Sequence, residues 1–204
     1  PTPCARDPLL TPGHRPPGDR PVPDSLLSLA RLVADRRARP GDPERDVLTR
    51  LIAGESDGER LSERELLHNI IFILNAGHET TTNLIGNGVD LLIRHPGAMA
   101  ELRAHPALIE SAVEEFLRLE SSNQLGNRRA ALDTELAGVA MPRGTYVHIG
   151  IGAANRDPAE FPEPERLDLR RHPNRHLAFG TGIHACAGMS LARMEAQVAI
   201  GALV

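Results

Sequence analysis

The chain has 204 residues, 41% of them hydrophobic, enough to bury a core and to exclude disorder of the whole chain. Lys and Arg total 23 against 27 Asp and Glu, a net charge of -4, so no basic surplus points to nucleic acid as a partner. The two cysteines, Cys4 and Cys186, make no disulfide framework and fit a reducing, cytoplasmic compartment. The longest purely apolar run, 70–74, is far short of a bilayer span, and no signal-peptide apolar core is visible. The chain does not start with Met and stops inside an apolar, helix-like run, so it is expected to be a piece of a longer protein.

Residues 1–24 hold eight of the 17 prolines and few apolar side chains, a composition that reads as a tail or long loop. Leu26, Leu29, Ala30 and Val33 then recur at helical spacing, with Asp24 as N-cap candidate and Pro40 as the stop. A shorter helix is predicted over 46–53, followed by a Gly- and acid-rich link over 54–61. Ser62 and Glu65 form a capping-box pair, and no proline follows until Pro96, which predicts a helix of about thirty residues and roughly 45 Å. Its first half, 66–74, is apolar on nearly every side and is expected to be buried all round. Its middle, Gly77-His78-Glu79-Thr80-Thr81-Thr82, places glycine, an acid and hydroxyls where packing would prefer Leu; such a conflict marks a functional site.

Two helices follow over 97–104 and 106–119, the second with Ile109, Ala112, Val113, Phe116 and Leu117 on one stripe. Residues 136–138, the Pro142-Arg143-Gly144 turn and 145–149 read as a small hairpin. The segment 150–177, rich in Pro, Arg, Asn and Asp, is mostly irregular, and 189–204 is a helix. The class is mainly α with minor β.

The most specific stretch is 179–188, Phe-Gly-Thr-Gly-Ile-His-Ala-Cys-Ala-Gly, just before the last helix. Its three glycines allow a tight backbone path and close approach to a flat ligand. Cys186 is placed at a helix N-terminus, where free N–H groups and the dipole favour the thiolate, a soft metal ligand. A lone cysteine is more often an inert buried residue, but the glycine frame shifts the balance toward a ligand. Zinc is poorly supported, because only His184 is near.

These residues resemble the signature of the cytochrome P450 family of haem-thiolate monooxygenases, Phe-Gly-x-Gly-x-His-x-Cys-x-Gly, matched at Phe179, Gly180, Gly182, His184, Cys186 and Gly188. The resemblance implies that Cys186 is the axial ligand of haem iron, its electron donation favouring O–O cleavage. It also implies that Phe179 packs beside the sulfur and that His184 faces a haem propionate. The stretch Ala76-Gly77-His78-Glu79-Thr80-Thr81 is similar to the family's oxygen-activation motif, in which Gly77 lets the helix widen and Glu79 and Thr80 relay protons. Alone, Thr80 reads equally as a back-bonding helical hydroxyl and Glu79 as a solvated residue, although the flanking apolar run argues against solvation.

Glu115 and Arg118 match the family's Glu-x-x-Arg, and their i, i+3 spacing places both on one helix flank. Most such pairs are surface ion pairs of little value; the resemblance implies a structural lock behind the haem-binding loop. Arg128 resembles the family's propionate-pairing residue, with Arg129 leaving the register open and His176 as a weaker candidate. Asn155-Arg156-Asp157-Pro158 is similar to the family's segment after the hairpin. Where bacterial members often carry prolines after Glu-x-x-Arg, this chain has Ser121-Ser122-Asn123-Gln124, near the expected substrate pocket.

The resemblance covers about 23–204, the C-terminal half of such a protein, and implies a partial haem-binding domain over 25–204 after the 1–24 tail. It implies haem b as cofactor, O2 as co-substrate and NAD(P)H acting indirectly through a redox partner. The partners implied are a small apolar substrate and a ferredoxin with its reductase, or a similar donor, docking near Cys186. Leu74, His78 and Ser122 are the pocket candidates. A second reading is a truncated, catalytically inactive remnant with exposed apolar faces on the long helix. A third is a haem-binding sensor or carrier, against which the Glu79–Thr80 pair argues.

Overall fold

The computed structural model describes residues 24–56 and 59–204, so most of the proline-rich tail and part of the acid-rich link lie outside the described residues. The chain divides into two units, Pro1–Ile73 and Leu74–Val204, each with its own core.

In the first unit, α1 (Asp24–Ala38) and α2 (Val47–Ala53) precede a long helix, α3 (Glu63–Arg94). Asp46 caps α2 by accepting from the Leu48 N–H at 3.1 Å and the Thr49 hydroxyl at 2.8 Å. The link carries a minimal antiparallel pairing of β1 (Glu55–Ser56) with β2 (Glu59–Arg60). The expected capping box opens α3: the Ser62 N–H donates to Glu65 Oε2 at 2.9 Å, and the Glu65 N–H to Ser62 Oγ at 3.3 Å. At 32 residues, α3 is about 48 Å long.

One expectation for α3 fails. Leu66 and Ile70 are buried with Val33 against Leu29, Leu48, Leu51 and Ile52, but Phe72 is 69% exposed, Ile73 46% and Leu74 54%. The helix is therefore covered on one side here and not all round. Among the described residues no element packs over that second apolar side.

The second unit is built from the later part of α3 with α4 (Pro96–Ala104), α5 (Ile109–Leu119) and α7 (Met189–Leu203). A single 3-10 turn, Pro106–Leu108, joins α4 to α5. Leu84, Leu91 and Leu92 of α3 meet Ala112, Val113 and Phe116 of α5 and Ala196 and Ile200 of α7 in one core. The contact is closest at Gly88, where a Cβ would stand 2.7 Å from Ile200 Cδ1 and 2.9 Å from Phe116 Cδ2. The α5 stripe read from the sequence is the buried face: Ala112, Val113, Phe116 and Leu117 are at most 2% exposed.

Small sheets complete the unit, but not as the sequence suggests. Thr134–Leu136 (β4) pairs with Val139–Met141 (β5), while Tyr146–Gly150 (β6) pairs with Leu125–Arg129 (β3). Ala137 at φ 50° and Gly138 at φ 80° make the two-residue left-handed turn that closes β4 on β5 directly. That leaves β6 to a strand, Leu-Gly-Asn-Arg-Arg, whose composition carries no alternation to announce it. The Pro142-Arg143-Gly144 turn does form, between β5 and β6, with the Thr145 N–H donating to the Pro142 carbonyl at 3.0 Å. Beyond a single turn, α6 (Ile151–Ala154), the chain up to the 3-10 turn Gly182–His184 has no regular element, as expected. Among the described residues no helix is long and apolar enough to cross a membrane.

Candidate active site

The loop carrying Cys186 is closed by its own backbone. The Gly180 N–H donates to the Leu177 carbonyl at 2.8 Å, the Ala185 N–H to the Gly182 carbonyl at 3.1 Å, and the Cys186 N–H to the Phe179 carbonyl at 2.9 Å. Gly180 at φ +67° and Gly182 at φ +65° occupy the left-handed region that a side chain resists, and a Cβ at Gly180 would also press to 3.3 Å of the His184 carbonyl. Cys186 is a free, half-buried thiol, and His184 lies exposed on the loop. Gly188 caps α7, which begins at Met189, so the thiol stands just before the first turn, not within it.

Behind the loop, Phe179 is held by charge. The Arg193 guanidinium lies 4.7 Å from the Phe179 ring centroid and forks onto Glu114, at 2.7 Å to Oε1 and 2.9 Å to Oε2. His176 Nε2 meets Glu114 Oε2 at 3.0 Å, while the Ala178 N–H donates to His176 Nδ1 at 3.2 Å. A backbone N–H can only donate, so Nδ1 accepts and Nε2 carries the proton toward Glu114. Burial pushes the Glu114 carboxyl up, but hydrogen bonds from His176 and Arg193, with the Arg193 charge, outweigh it and bring the group to about 2. The Glu114 hydrogen bond raises Arg193 above its ordinary value against the effect of burial, aided by the charges of Glu114 and Cys186.

This corrects the reading of His176 as a propionate partner. Its side chain is 3% exposed and both ring nitrogens are engaged by the protein, which leaves neither for a ligand.

The adjacent Glu115 faces a different set of groups. Arg118 donates to it in a fork, Nε to Oε2 and Nη2 to Oε1, both at 2.8 Å. Both side chains are fully buried, so the pair is not the surface ion pair that spacing alone suggests. The remaining donors of Arg118 reach the carbonyls of Asn155, Pro164 and Arg166 at 2.9, 2.7 and 3.2 Å. Glu115 also accepts from Arg171 Nε at 3.1 Å, Asn174 Nδ2 at 3.1 Å and the Asp168 N–H at 3.0 Å. Sequence reasoning missed Arg171 and Asn174, which sit in an irregular stretch with no periodicity to single them out.

On α3, the Thr80 hydroxyl donates to the Ala76 carbonyl at 2.6 Å and Thr82 to His78 at 2.8 Å, the back-bonding that bends helices. Ala76, Gly77 and Glu79 are exposed, Glu79 against the expectation from its apolar flank, because Phe72, Ile73 and Leu74 are uncovered too. Nothing lies within 4 Å of where a Gly77 Cβ would stand. On β3 the two arginines separate. Arg129 donates to the Gly144 carbonyl at 3.2 Å and stacks 5.2 Å over Tyr146. Arg128 is exposed, bonded at 2.8 Å to the carbonyl of neighbouring Asn127, and among the described residues it has no carboxylate partner. Alternation along the strand thus leaves Arg128 open to an anionic ligand.

These residues fit a haem. The Cys186 thiol is free and half-buried, a soft donor that suits a metal ion. The glycine loop leaves room for a flat group, and Arg128 and His184 supply exposed polar ends for carboxylates.

Known proteins carry the same arrangement of elements. The family model described as Cytochrome P450 matches residues 28–204. The chain is 46% identical over 177 residues to cytochrome P450 107B1 of Saccharopolyspora erythraea, covering 86% of this chain and 43% of that protein. It is 47% identical over 177 residues to a vitamin D(3) 25-hydroxylase of Pseudonocardia autotrophica, with the same coverage of 86% and 43%. The solved structure of P450BioI with an acyl carrier protein bearing hexadec-9Z-enoic acid matches at a TM-score of 0.81 and 42% identity, over 88% of this chain and 45% of that one. The chain therefore spans less than half the length of these relatives, a C-terminal portion of their mainly helical fold with small sheets. With 177 residues matched by one family model around its cysteine loop and buried Glu-x-x-Arg pair, this chain belongs to the cytochrome P450 family.

Proposed function

We propose that the chain forms the haem-binding, oxygen-activating part of a haem-thiolate monooxygenase that inserts one oxygen atom of O2 into an apolar organic substrate. The observation that carries this is Cys186, a half-buried free thiol held by backbone hydrogen bonds in a glycine loop. Haem b, when bound, supplies the one-electron and O2 chemistry. Cys186 would ligate its iron, Arg128 and His184 would hold its carboxylates, and the Phe179, Gly180 and Gly188 backbone would shape the loop around the sulfur.

Thr80 acts as the proton-holding group. Its hydroxyl proton rests on the Ala76 carbonyl, which leaves its oxygen to accept from a bound group. Glu79, exposed on the adjacent position, exchanges protons with solvent. Gly77 and Ala76 keep bulk off that side of α3. Electrons come from NAD(P)H through a ferredoxin and its reductase, or a similar donor, in the cytoplasm. The named relatives support an apolar substrate, one being a vitamin D(3) hydroxylase and another a protein solved with a fatty-acyl carrier.

The test is the difference spectrum of the haem-loaded, reduced chain with carbon monoxide. A red-shifted, thiolate-type Soret band that disappears in Cys186→Ser supports the assignment; a histidine-type band from a folded chain overturns it. The exposure of Phe72, Ile73 and Leu74 favours a second reading, that this chain alone binds haem but turns nothing over. A thiolate band without product in the presence of a surrogate oxygen donor selects that reading.

A further inference from the structure

The Ser121-Ser122 pair, the point where this chain departs from the prolines expected after Glu-x-x-Arg, has a specific partner. The Ser122 hydroxyl donates to the Thr80 carbonyl at 2.7 Å, across 42 residues of sequence. A carbonyl has two lone pairs, so this bond adds to the helical ladder instead of replacing it. A proline at 122 has no donor to make it. Two turns further along α3, Asn87 Nδ2 donates to the Glu120 carbonyl at 3.0 Å, a second tie to the same short loop.

The loop is anchored at its other end as well. Ser121, 2% exposed, accepts from Asn155 Nδ2 at 2.9 Å, and Asn155 Oδ1 accepts from the Leu177 N–H at 2.7 Å. Leu177 in turn receives the Gly180 N–H, the first hydrogen bond of the Cys186 loop. A continuous set of buried or half-buried groups thus joins the Thr80 turn to the cysteine loop. The tie falls where α3 most needs one, because the back-bonding hydroxyls of Thr80 and Thr82 loosen the helix there.

On the reading that Thr80 holds the proton for oxygen activation, we infer that Ser122 is a positioning residue for Thr80. Its hydroxyl pins the Thr80 turn to the frame that carries Cys186. The position otherwise expected to be apolar has become a strut.

The test compares Ser122→Thr with Ser122→Val, side chains of one shape that differ in the hydroxyl, in the full chain. Amide hydrogen exchange over 76–84 is expected to rise about five-fold in Ser122→Val, the ratio for loss of one net hydrogen bond, and to stay at the parent level in Ser122→Thr. Unchanged exchange in Ser122→Val, or an equal rise in both variants, overturns the inference. In the haem-loaded chain the infrared stretch of bound carbon monoxide is expected to shift in Ser122→Val, and a Thr80→Val background should absorb that shift. Independent, additive shifts would mean that Ser122 does not act through Thr80 and would also overturn it. Failure of the parent to give a thiolate-type spectrum, with the exchange difference intact, would sink the proposed function and leave the strut standing.

Discussion

Replacing Glu115 by Gln tests whether the buried ion pair organises the fold. Gln is nearly isosteric but neutral, and its amide turns one of the two acceptors into a donor aimed at Arg118 or Arg171. Arg118, at 0% side-chain exposure, and Arg171, at 10%, would then lose the carboxylate that balances them. Removing one partner of a buried pair costs about 3–5 kcal/mol, a large share of the 5–15 kcal/mol typical of a whole domain. With a urea m-value of about 2 kcal/mol/M, the midpoint should fall by roughly 2 M, followed by far-UV circular dichroism. Arg118→Lys keeps the charge but loses the fork and most of the reach to the three carbonyls, so an intermediate drop is expected. A loss below about 1 kcal/mol in Glu115→Gln would place the pair with solvent-screened surface pairs and refute the reasoning.

Glu114 gives an acid-stability signature. Its carboxyl lies at about 2 when folded against an ordinary 4.5, so it stabilises the fold above about pH 4.5 and that contribution is lost as the pH falls toward 2. Because the side chain is 26% exposed, screening limits the effect to about 1–2 kcal/mol; Glu114→Gln should flatten the stability curve between pH 5 and pH 2, and an unchanged slope would count against the network. Gly88→Ala adds a Cβ 2.7 Å from Ile200 and 2.9 Å from Phe116, both fully buried. The overpacking, about 1–3 kcal/mol, should exceed the helix-propensity gain of about 1 kcal/mol, and a stabilised variant in thermal melts would show a looser core than described. Arg128→Ala should speed haem loss to excess apomyoglobin while Arg129→Ala leaves it unchanged; the reverse order would exchange their roles.

The helices were legible because their signals are local. The Ser62–Glu65 box, the proline-free run to Pro96 and the α5 stripe each follow from spacing that one element enforces on itself. The cysteine loop was legible for a related reason, since left-handed backbone at Gly180 and Gly182 requires glycine in the sequence. What escaped depends on partners remote in the chain. The partner of β6 is an arginine-ended strand 17 or more residues earlier, and the turn that decides the pairing is set by Ala137, a residue that does not advertise a positive φ. The carboxylate that engages His176 is Glu114, 62 residues away in the chain, and nothing local to His176 points to it. The exposure of Phe72 and Glu79 likewise depends on what packs over α3, which composition along the helix does not report.

Why a carboxylate and a guanidinium occupy the centre of α5, when apolar side chains of similar size cost less to bury, follows from the segment packed against it. Residues 155–178 have almost no secondary structure, so their carbonyls and N–H groups have no ladder and must find partners individually. Arg118 supplies donors to Asn155, Pro164 and Arg166, Glu115 accepts from the Asp168 N–H, and the Ser111 hydroxyl donates to the Leu169 carbonyl at 2.6 Å. An apolar pair at 115 and 118 would pack but would leave the buried Asn155 carbonyl, and the part-buried Pro164 carbonyl and Asp168 N–H, without these partners. Successive helical residues point about 100° apart, so Glu114, one position back, serves Arg193 and His176 on the other flank. One turn of α5 therefore fixes both the irregular approach to the cysteine loop and the Phe179 contact behind it, and the position of Cys186 is set by charges that never touch it.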